Sequence, residues 1–285
     1  MKKLILITFL AFISMNISYS QVTTHSCCPE KTLTATELFA TFAGDKSFVD
    51  EHPNPEPFNL ADEKGKTISF DCKDGKTGYA YEVKSDKPSN KYILVFHEWY
   101  GVNDYIKQES DELNAQFPDI NILAVDLYDG KVAQNNDEAV KYVQSVQTDR
   151  AFNIIQGAID YAGSNAVFGT IGWCFGGGWS LQAAILLGDR CKACVMYYGM
   201  PETDKDRLSK LQAPVLGFFA LQDTRITPAF VKQFEDDMSS LGKSIHVKSY
   251  DAVHAFANPS NPKHDPDATK DAKALAIKFF QDNLE

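Results

Sequence analysis

From residue 91 onward, short apolar runs alternate with segments in which apolar positions recur at helical spacing. Runs with the length of buried strands lie near 92–97, 121–126, 166–171, 193–197, 214–219 and 245–250. Helical spacing is found near 104–117, 149–163, 177–188 and 268–283. Strands that alternate with helices are typical of a mainly parallel sheet with helices on both faces. The pattern therefore predicts an α/β fold for this part of the chain.

The chain before residue 91 has a different pattern. Two β-like segments, 67–72 and 78–84, flank the sequence Lys73-Asp-Gly-Lys-Thr, whose Asp-Gly pair is typical of a hairpin turn. A short antiparallel hairpin is therefore expected to precede the parallel sheet. Residues 21–64 are richer in proline, charged and polar side chains, and we interpret them as an N-terminal extension.

The first twenty residues have the pattern of a secretory signal peptide. Two lysines precede an apolar run that is too short to span a bilayer, and Ser18-Tyr-Ser20 supplies small residues at a cleavage point. Cleavage there predicts a periplasmic or secreted protein. The expected organisation is a signal peptide over 1–20, an extension over 21–64 and an α/β domain over 65–285.

Composition and charge narrow the class of partner. The chain has 285 residues, 44% of them hydrophobic, which is enough for a large core. Its net charge of −10 becomes −12 once the two lysines of the signal peptide are removed. This acidity argues against binding to nucleic acid or, after signal cleavage, to an anionic membrane surface. A small-molecule substrate is expected, and the oligomeric state is left open.

The strongest chemical signal is the segment Gly169-Thr-Ile-Gly-Trp-Cys-Phe-Gly-Gly-Gly178. An apolar run reaches Gly172, Cys174 follows, and further glycines open a helix rich in alanine and leucine. This strand–turn–helix layout is that of a nucleophile elbow, with cysteine where serine usually stands. Gly172 and Gly176 lie two residues on either side of Cys174, where a Cβ would clash in so sharp a turn. The helix N-terminus favours the thiolate.

Two further residues complete a candidate triad in the order nucleophile, acid, histidine. Asp223 follows the apolar strand at 214–219, and His254 follows the strand at 245–250. Each would be an ordinary loop residue if it occurred alone. Three such residues in the correct order, each after its own strand, predict that His254 accepts the thiol proton and that Asp223 orients the imidazole.

With these motifs the chain resembles the dienelactone hydrolase family. Besides the elbow, Phe96-His-Glu-Trp-Tyr-Gly-Val-Asn103 and Ala124-Val-Asp-Leu-Tyr128 are similar to segments that follow the family's first core strands. The resemblance covers about 65–285. It implies an α/β-hydrolase fold, with a mainly parallel sheet and helices on both faces, and an enzyme that hydrolyses an ester or a lactone. It also implies the triad of Cys174, Asp223 and His254.

The resemblance extends to the surroundings of the triad. It implies that Glu98 contacts the thiol and takes part in its activation, and that the backbone N–H groups of Trp99 and Phe175 form an oxyanion hole. The side chains of Trp99 and Phe256 are candidates for the substrate pocket. In dienelactone-cleaving members an arginine shortly after the catalytic histidine holds the substrate carboxylate. The segment after His254 has none, and none of the possible substitutes stands at a matching position: Arg150, Arg207 and Arg225.

The remaining cysteines suggest neither a metal nor a redox centre. Besides Cys174 there are five, an odd number, so at least one stays free or pairs between chains: Cys27, Cys28, Cys72, Cys191 and Cys194. The Cys191-Lys-Ala-Cys194 pair runs into a strand, whereas a thioredoxin-like pair opens a helix. No second pair of ligands has zinc-site spacing, and His97-Glu98 is not part of an HExxH motif. We therefore expect no metal and no cofactor.

The favoured hypothesis is an exported hydrolase that works through a thioester: Cys174 attacks the carbonyl, and His254 then activates water. Three alternatives stay open. One is a generic carboxylesterase that acts on a cell-envelope or polysaccharide ester. Another is a non-catalytic binding protein with a hydrolase fold and an inert Cys174. The third is a redox-active thiol protein that uses Cys191 and Cys194.

Overall fold

The computed structural model describes residues 34–284 of the chain. Its strands are β1 (Lys66–Asp71), β2 (Thr77–Val83), β3 (Lys91–Phe96), β4 (Asn121–Asp126), β5 (Val167–Trp173), β6 (Cys191–Tyr197), β7 (Val215–Ala220) and β8 (Ile245–Tyr250). They form one sheet in the order β1-β2-β4-β3-β5-β6-β7-β8. The pairs from β4–β3 to β7–β8 are parallel, whereas β2 is antiparallel to both β1 and β4.

Nine α-helical segments occur in the described range. They are α1 (Ala35–Phe42), α2 (Lys46–Val49), α3 (Asp104–Gln116), α4 (Asn136–Ser145), α5 (Thr148–Ala162), α6 (Phe175–Leu187), α7 (Lys205–Leu208), α8 (Pro228–Ser240) and α9 (Pro266–Leu284). Within this range, no helix is both long and apolar enough to cross a membrane.

The sheet is covered on both faces. Neighbouring residues of a strand point to opposite faces, and β5 illustrates this in its centre. A Cβ on Gly169 would meet the ring of Phe280 in α9, whereas the hydroxyl of Thr170 accepts a hydrogen bond from Ser180 in α6 at 3.0 Å. Helices α9 and α6 therefore lie on opposite faces, which confirms the predicted α/β-hydrolase architecture.

The expected antiparallel hairpin is confirmed: it consists of β1 and β2, and it forms the edge of the main sheet because β2 pairs directly with β4. Helix α4 was not expected from the sequence. It is capped by the side chain of Asn135 and has only Ala139 and Val143 as buried residues, so its apolar stripe is too short to stand out.

The predicted N-terminal extension lies partly within the described range. Helix α1 begins with a capping box in which Thr34 and Glu37 satisfy each other's backbone amides. Its Phe39 packs against Phe175 of α6, with ring centroids 5.9 Å apart. This part of the extension therefore packs on the sheet-and-helix core. The predicted signal peptide over 1–20 lies outside the described residues.

The described cysteines are all free thiols with buried side chains: Cys72, Cys174, Cys191 and Cys194. Cys27 and Cys28 lie outside the described range. Cys191 and Cys194 belong to β6, and burial raises the pKa of the Cys194 thiol to about 11. The raised pKa leaves little reactive thiolate at Cys194 near neutral pH.

Candidate active site

Cys174 stands alone in the turn between β5 and α6. Its backbone has φ +53° and ψ −116°, and residues other than glycine rarely adopt so positive a φ. The turn is tight because a Cβ on Gly172 would come within 2.1 Å of the Gly176 carbonyl oxygen. A Cβ on Gly176 would come within 2.2 Å of the Phe96 carbonyl oxygen. Strand β3, strand β5 and helix α6 thus meet at backbone distance and hold the thiol at the end of the sheet.

The structure brings His254 and Asp223 to this thiol. His254 Nε2 lies 3.3 Å from Cys174 Sγ, and His254 Nδ1 lies 2.6 Å from Asp223 Oδ2. The other Asp223 oxygen accepts hydrogen bonds from the amides of Arg225 and Ile226 at 2.8 and 2.9 Å. These amides fix the carboxylate, which in turn fixes the tautomer and orientation of the imidazole. All three side chains of the predicted triad are buried.

The three groups shift one another's pKa values. Burial raises the pKa of the Cys174 thiol, and its hydrogen bond with His254 only partly opposes this. Burial also disfavours the His254 cation, but the Asp223 carboxylate and the nearby Cys174 sulfur outweigh it and hold the pKa of His254 well above its usual value. The His254 cation and the two amide hydrogen bonds overcome burial and lower the pKa of Asp223. Burial therefore disfavours the thiolate of Cys174, whereas Asp223 makes His254 a stronger base.

A second imidazole, which sequence reasoning missed, contacts the same sulfur. His52 Nε2 lies 3.3 Å from Cys174 Sγ, and His52 Nδ1 lies 2.8 Å from the Phe48 carbonyl oxygen. A carbonyl oxygen only accepts, so Nδ1 carries the proton and Nε2 offers a lone pair to the thiol. Burial, aided by the His254 cation, lowers the pKa of His52 to about 3, so His52 stays neutral.

Glu98 lies beside the thiol but does not bond to it. Its Oε1 accepts a hydrogen bond from the Tyr198 hydroxyl at 3.0 Å, and its Oε2 accepts one from the Asn258 amide. Burial raises the pKa of Glu98 to about 7 despite these two donors. Its negative charge raises the pKa of Cys174. The expected role of Glu98 in activating the thiol stays a prediction, and Tyr198 and Asn258 are partners that the sequence did not reveal.

The predicted oxyanion-hole and pocket residues surround the site. The Phe175 amide donates a hydrogen bond to Cys174, which lowers the pKa of that thiol. The Trp99 indole stacks on the His52 ring, with centroids 4.5 Å apart and planes 20° apart. Phe256 is fully buried between Tyr198 and Tyr250. The roles of the Trp99 and Phe175 amides and of the Trp99 and Phe256 side chains stay predictions.

A cavity of about 300 Å³ adjoins Glu98. Glu98 and Asn258 contribute to its wall, together with the stacked pair Trp173 and Tyr197, whose ring centroids lie 5.4 Å apart. Cys174, His254 and His52 are not among the described residues that line it. The partly buried Glu98 therefore borders this cavity, whereas the triad side chains do not.

The candidate substitutes for the family's carboxylate-binding arginine all have acidic partners. Arg150 pairs with Asp74 and Asp129, Arg207 pairs with Glu202, and Arg225 pairs with Asp45. Each guanidinium is thereby already neutralised by the protein itself.

Two imidazoles and a thiol are also the donors of soft metal sites. The donor atoms of His52, Cys174 and His254 lie within 4.8 Å of one another. Hydrogen bonds between the imidazoles and the thiol account for the two distances of 3.3 Å. The expectation of no metal and no cofactor stays a prediction.

The sequence of this chain is similar to those of known proteins. The profile of the dienelactone hydrolase family matches residues 78–284. The chain belongs to this family. Protein usf of Aquifex pyrophilus is 27% identical over 77% of the chain and 99% of its own length. The carboxymethylenebutenolidase of a Pseudomonas species is 26% identical over 75% of the chain and 94% of its own length.

Solved structures agree on the fold. A dienelactone hydrolase-like promiscuous phosphotriesterase from metagenomic libraries superimposes with a TM-score of 0.66 at 22% identity, over 77% of this chain and 99% of that one. The chain itself is an ester-bond hydrolase of the dienelactone hydrolase family, and a small-molecule ester or lactone substrate is consistent with that family.

Proposed function

We propose that the enzyme cleaves its ester or lactone through a covalent thioester on Cys174. The carrying observation is the line of contacts from Asp223 Oδ2 to His254 Nδ1 at 2.6 Å and from His254 Nε2 to Cys174 Sγ at 3.3 Å. A thiol within reach of a base that is itself oriented by a carboxylate is the arrangement of nucleophilic catalysis.

The reaction proceeds in two halves. Cys174 transfers its proton to the His254–Asp223 pair, and its sulfur forms a bond to the carbonyl carbon. The Phe175 and Trp99 amides stabilise the oxyanion, and the C–O bond breaks as the leaving oxygen takes the proton from His254. Water then gives its proton to His254 and its oxygen to the acyl carbon. The C–S bond breaks, the acid leaves, and the proton returns to the sulfur.

The substrate of this enzyme has no carboxylate that an arginine side chain must bind. Arg150, Arg207 and Arg225 are occupied by acidic partners, and the segment after His254 supplies no other guanidinium. Activated neutral esters, enol lactones and thioesters fit a thiol nucleophile, because their leaving groups depart readily. The name of the Pseudomonas relative, carboxymethylenebutenolidase, supports an enol lactone of the butenolide type, here without the carboxyl group, as the first compound to test.

Export is the second part of the proposal. The basic start, the short apolar run and the small residues up to Ser20 support cleavage of a signal peptide and a periplasmic or secreted location. N-terminal sequencing of the protein recovered from the producing cells tests this. A mature chain that begins at Gln21 is expected, and a chain that retains Met1 inside the cell would contradict it.

The catalytic proposal is tested by turnover of p-nitrophenyl acetate, an enol lactone, a dienelactone and an acyl thioester. Cys174→Ala is expected to lower kcat/KM at least about 10³-fold, because removal of the nucleophile leaves only binding and oxyanion stabilisation. Cys72→Ala, which removes another buried thiol far along the chain, is the matched control and keeps its activity. Full activity of Cys174→Ala would refute the mechanism.

The same panel decides between the proposal and its alternatives. A binding protein would bind an ester without turnover in both the wild type and Cys174→Ala. A redox protein would require Cys191 rather than Cys174, yet the described thiols Cys191 and Cys194 are buried and are not joined by a disulfide. Turnover of simple esters but not lactones would favour a generic carboxylesterase.

A further inference from the structure

The proposed nucleophile is closed off from solvent. Cys174 has no exposed surface, and His254 is only 2% exposed. The group that closes the site comes from α2 and the turn that follows it. Phe48 is fully buried against the His254 ring at a centroid distance of 5.4 Å, and His52 contacts the sulfur itself. We call residues 45–53 the cover segment.

His52 occupies the place that a substrate needs. A reacting carbonyl carbon must approach to about 3–3.5 Å from the attacking atom. His52 Nε2 lies 3.3 Å from Cys174 Sγ, and the imidazole fills the space between that sulfur and the Trp99 ring. A carbonyl group and this imidazole cannot occupy the same volume. The described structure is therefore a closed state, in which an ester cannot be attacked.

The two imidazoles compete for the single proton of the thiol. His254 Nε2 and His52 Nε2 each lie 3.3 Å from Cys174 Sγ, and His52 Nδ1 donates to the Phe48 carbonyl oxygen. His52 thus replaces both the substrate and the water that would otherwise solvate the thiol. It offers the thiol proton an acceptor that leads away from the His254–Asp223 pair.

We propose that His52 is an internal competitor of the substrate, and that turnover requires the cover segment to move away from Cys174. The proposal rests on the thiol site described under the proposed function. The cover segment precedes residue 78, where the match to the family profile begins, so it adds a feature of this chain to the shared hydrolase domain.

The attachments of the cover segment are suited to opening. Helix α2 has four residues, and Phe48 is its one buried side chain. Besides the stack of His52 on Trp99, the other attachments are polar: Arg225 contacts Asp45 and Ser47, and hydrogen bonds reach the carbonyl oxygens of Val49, Glu51, His52 and Pro53. Short elements with few buried apolar contacts open at a lower free energy than the core does.

The test measures access to Cys174 by its rate of alkylation with iodoacetamide, read by peptide mass spectrometry. His52→Ala removes the competitor, and Asp45→Asn breaks the ion pair to Arg225 at a distance from the thiol. Both variants are expected to raise the alkylation rate and kcat/KM for p-nitrophenyl acetate, His52→Ala by at least about tenfold, because apparent reactivity scales with the open fraction. His246→Ala, on the exposed side of β8, is the matched control and leaves both rates unchanged.

Two results would overturn the proposal. One is an unchanged alkylation rate in both His52→Ala and Asp45→Asn. The other is a loss of kcat/KM in His52→Ala while its circular dichroism and thermal unfolding match the wild type, since His52 would then serve the chemistry. Alkylation does not depend on ester turnover, so a wild type that hydrolyses nothing would refute the proposed function and still leave the closure measurable.

Discussion

At the scale of single residues, the Cys174 thiol is the middle one of five groups in contact. The groups are the Asp223 carboxylate, the His254 imidazole, the thiol, the His52 imidazole and the Phe48 carbonyl oxygen. Asp223 overcomes burial and raises the pKa of His254, whereas burial lowers that of His52, so Cys174 lies between a strong base and a weak one. Burial also raises the pKa of the thiol and so disfavours the thiolate in this closed state. The charge states of the two imidazoles, rather than the elbow alone, therefore set the reactivity of the resting enzyme.

At this scale, the raised pKa of Glu98 predicts how the folding stability depends on pH. Burial raises its pKa to about 7 from the ordinary 4.5, so between those pH values the unfolded chain loses a proton that the folded chain keeps. Folding stability contributed by this group therefore falls from pH 4.5 to 7 and is level above. Glu98→Gln resembles the protonated form. It is expected to be more stable than the wild type by at most about 3 kcal/mol at pH 8, and by about 1 kcal/mol at pH 5.

Urea unfolding of the wild type and Glu98→Gln at the two pH values measures the difference. Partial contact of Glu98 with the adjoining cavity reduces the size of the effect but leaves its sign unchanged. A wild type that is equally or more stable than the variant at pH 8 would mean that the carboxyl is ionised at little cost in the folded state.

At the scale of elements, the elbow depends on two glycines that let β5, α6 and β3 approach at backbone distance. The left-handed backbone of Cys174 is compensated by its amide, which donates to the Tyr197 carbonyl oxygen at 3.0 Å. This hydrogen bond to β6, whose second half is buried throughout, thus keeps Cys174 in its strained conformation.

Alanine substitutions at Gly176 and Gly188 test this close approach. Gly176→Ala would place a Cβ 2.2 Å from the Phe96 carbonyl oxygen, a backbone atom that cannot turn away. We expect it to destabilise the fold by more than about 3 kcal/mol. Gly188→Ala is the control, since its Cβ would meet nothing within 4 Å and only its positive φ would cost about 1–2 kcal/mol. Thermal unfolding that ranks the two variants equally would contradict the account of the elbow.

The sequence predicted the elements whose signal is local. Cys174, Asp223 and His254 could be placed because each follows an apolar strand, and parallel strands bring their carboxyl ends to one edge. His52 could not be placed, since it meets Cys174 across 122 positions and belongs to no periodic pattern. Tyr198 likewise gave no signal, because its contact with Glu98 depends on a positive φ of 36° just after β6.

At the scale of the whole molecule, the described chain combines a family domain with a preceding segment that reaches into its active site. The domain supplies the sheet, the elbow and the Cys174–His254–Asp223 line. The cover segment supplies a fourth group at the sulfur, so access to the thiol and chemistry at the thiol are controlled by different parts of the chain. If the protein is exported as proposed, this division keeps the thiol away from oxidants.

In the proposed mechanism, Cys174 carries the acyl group during turnover. Rapid-quench mixing of the enzyme with p-nitrophenyl acetate, followed by intact-mass and peptide mass spectrometry, tests it directly. We expect a burst of p-nitrophenol that coincides with a single acetyl group on Cys174, which then disappears as acetate forms. Turnover with Cys174 unmodified at every time point, or with the acetyl group on another residue, would contradict it.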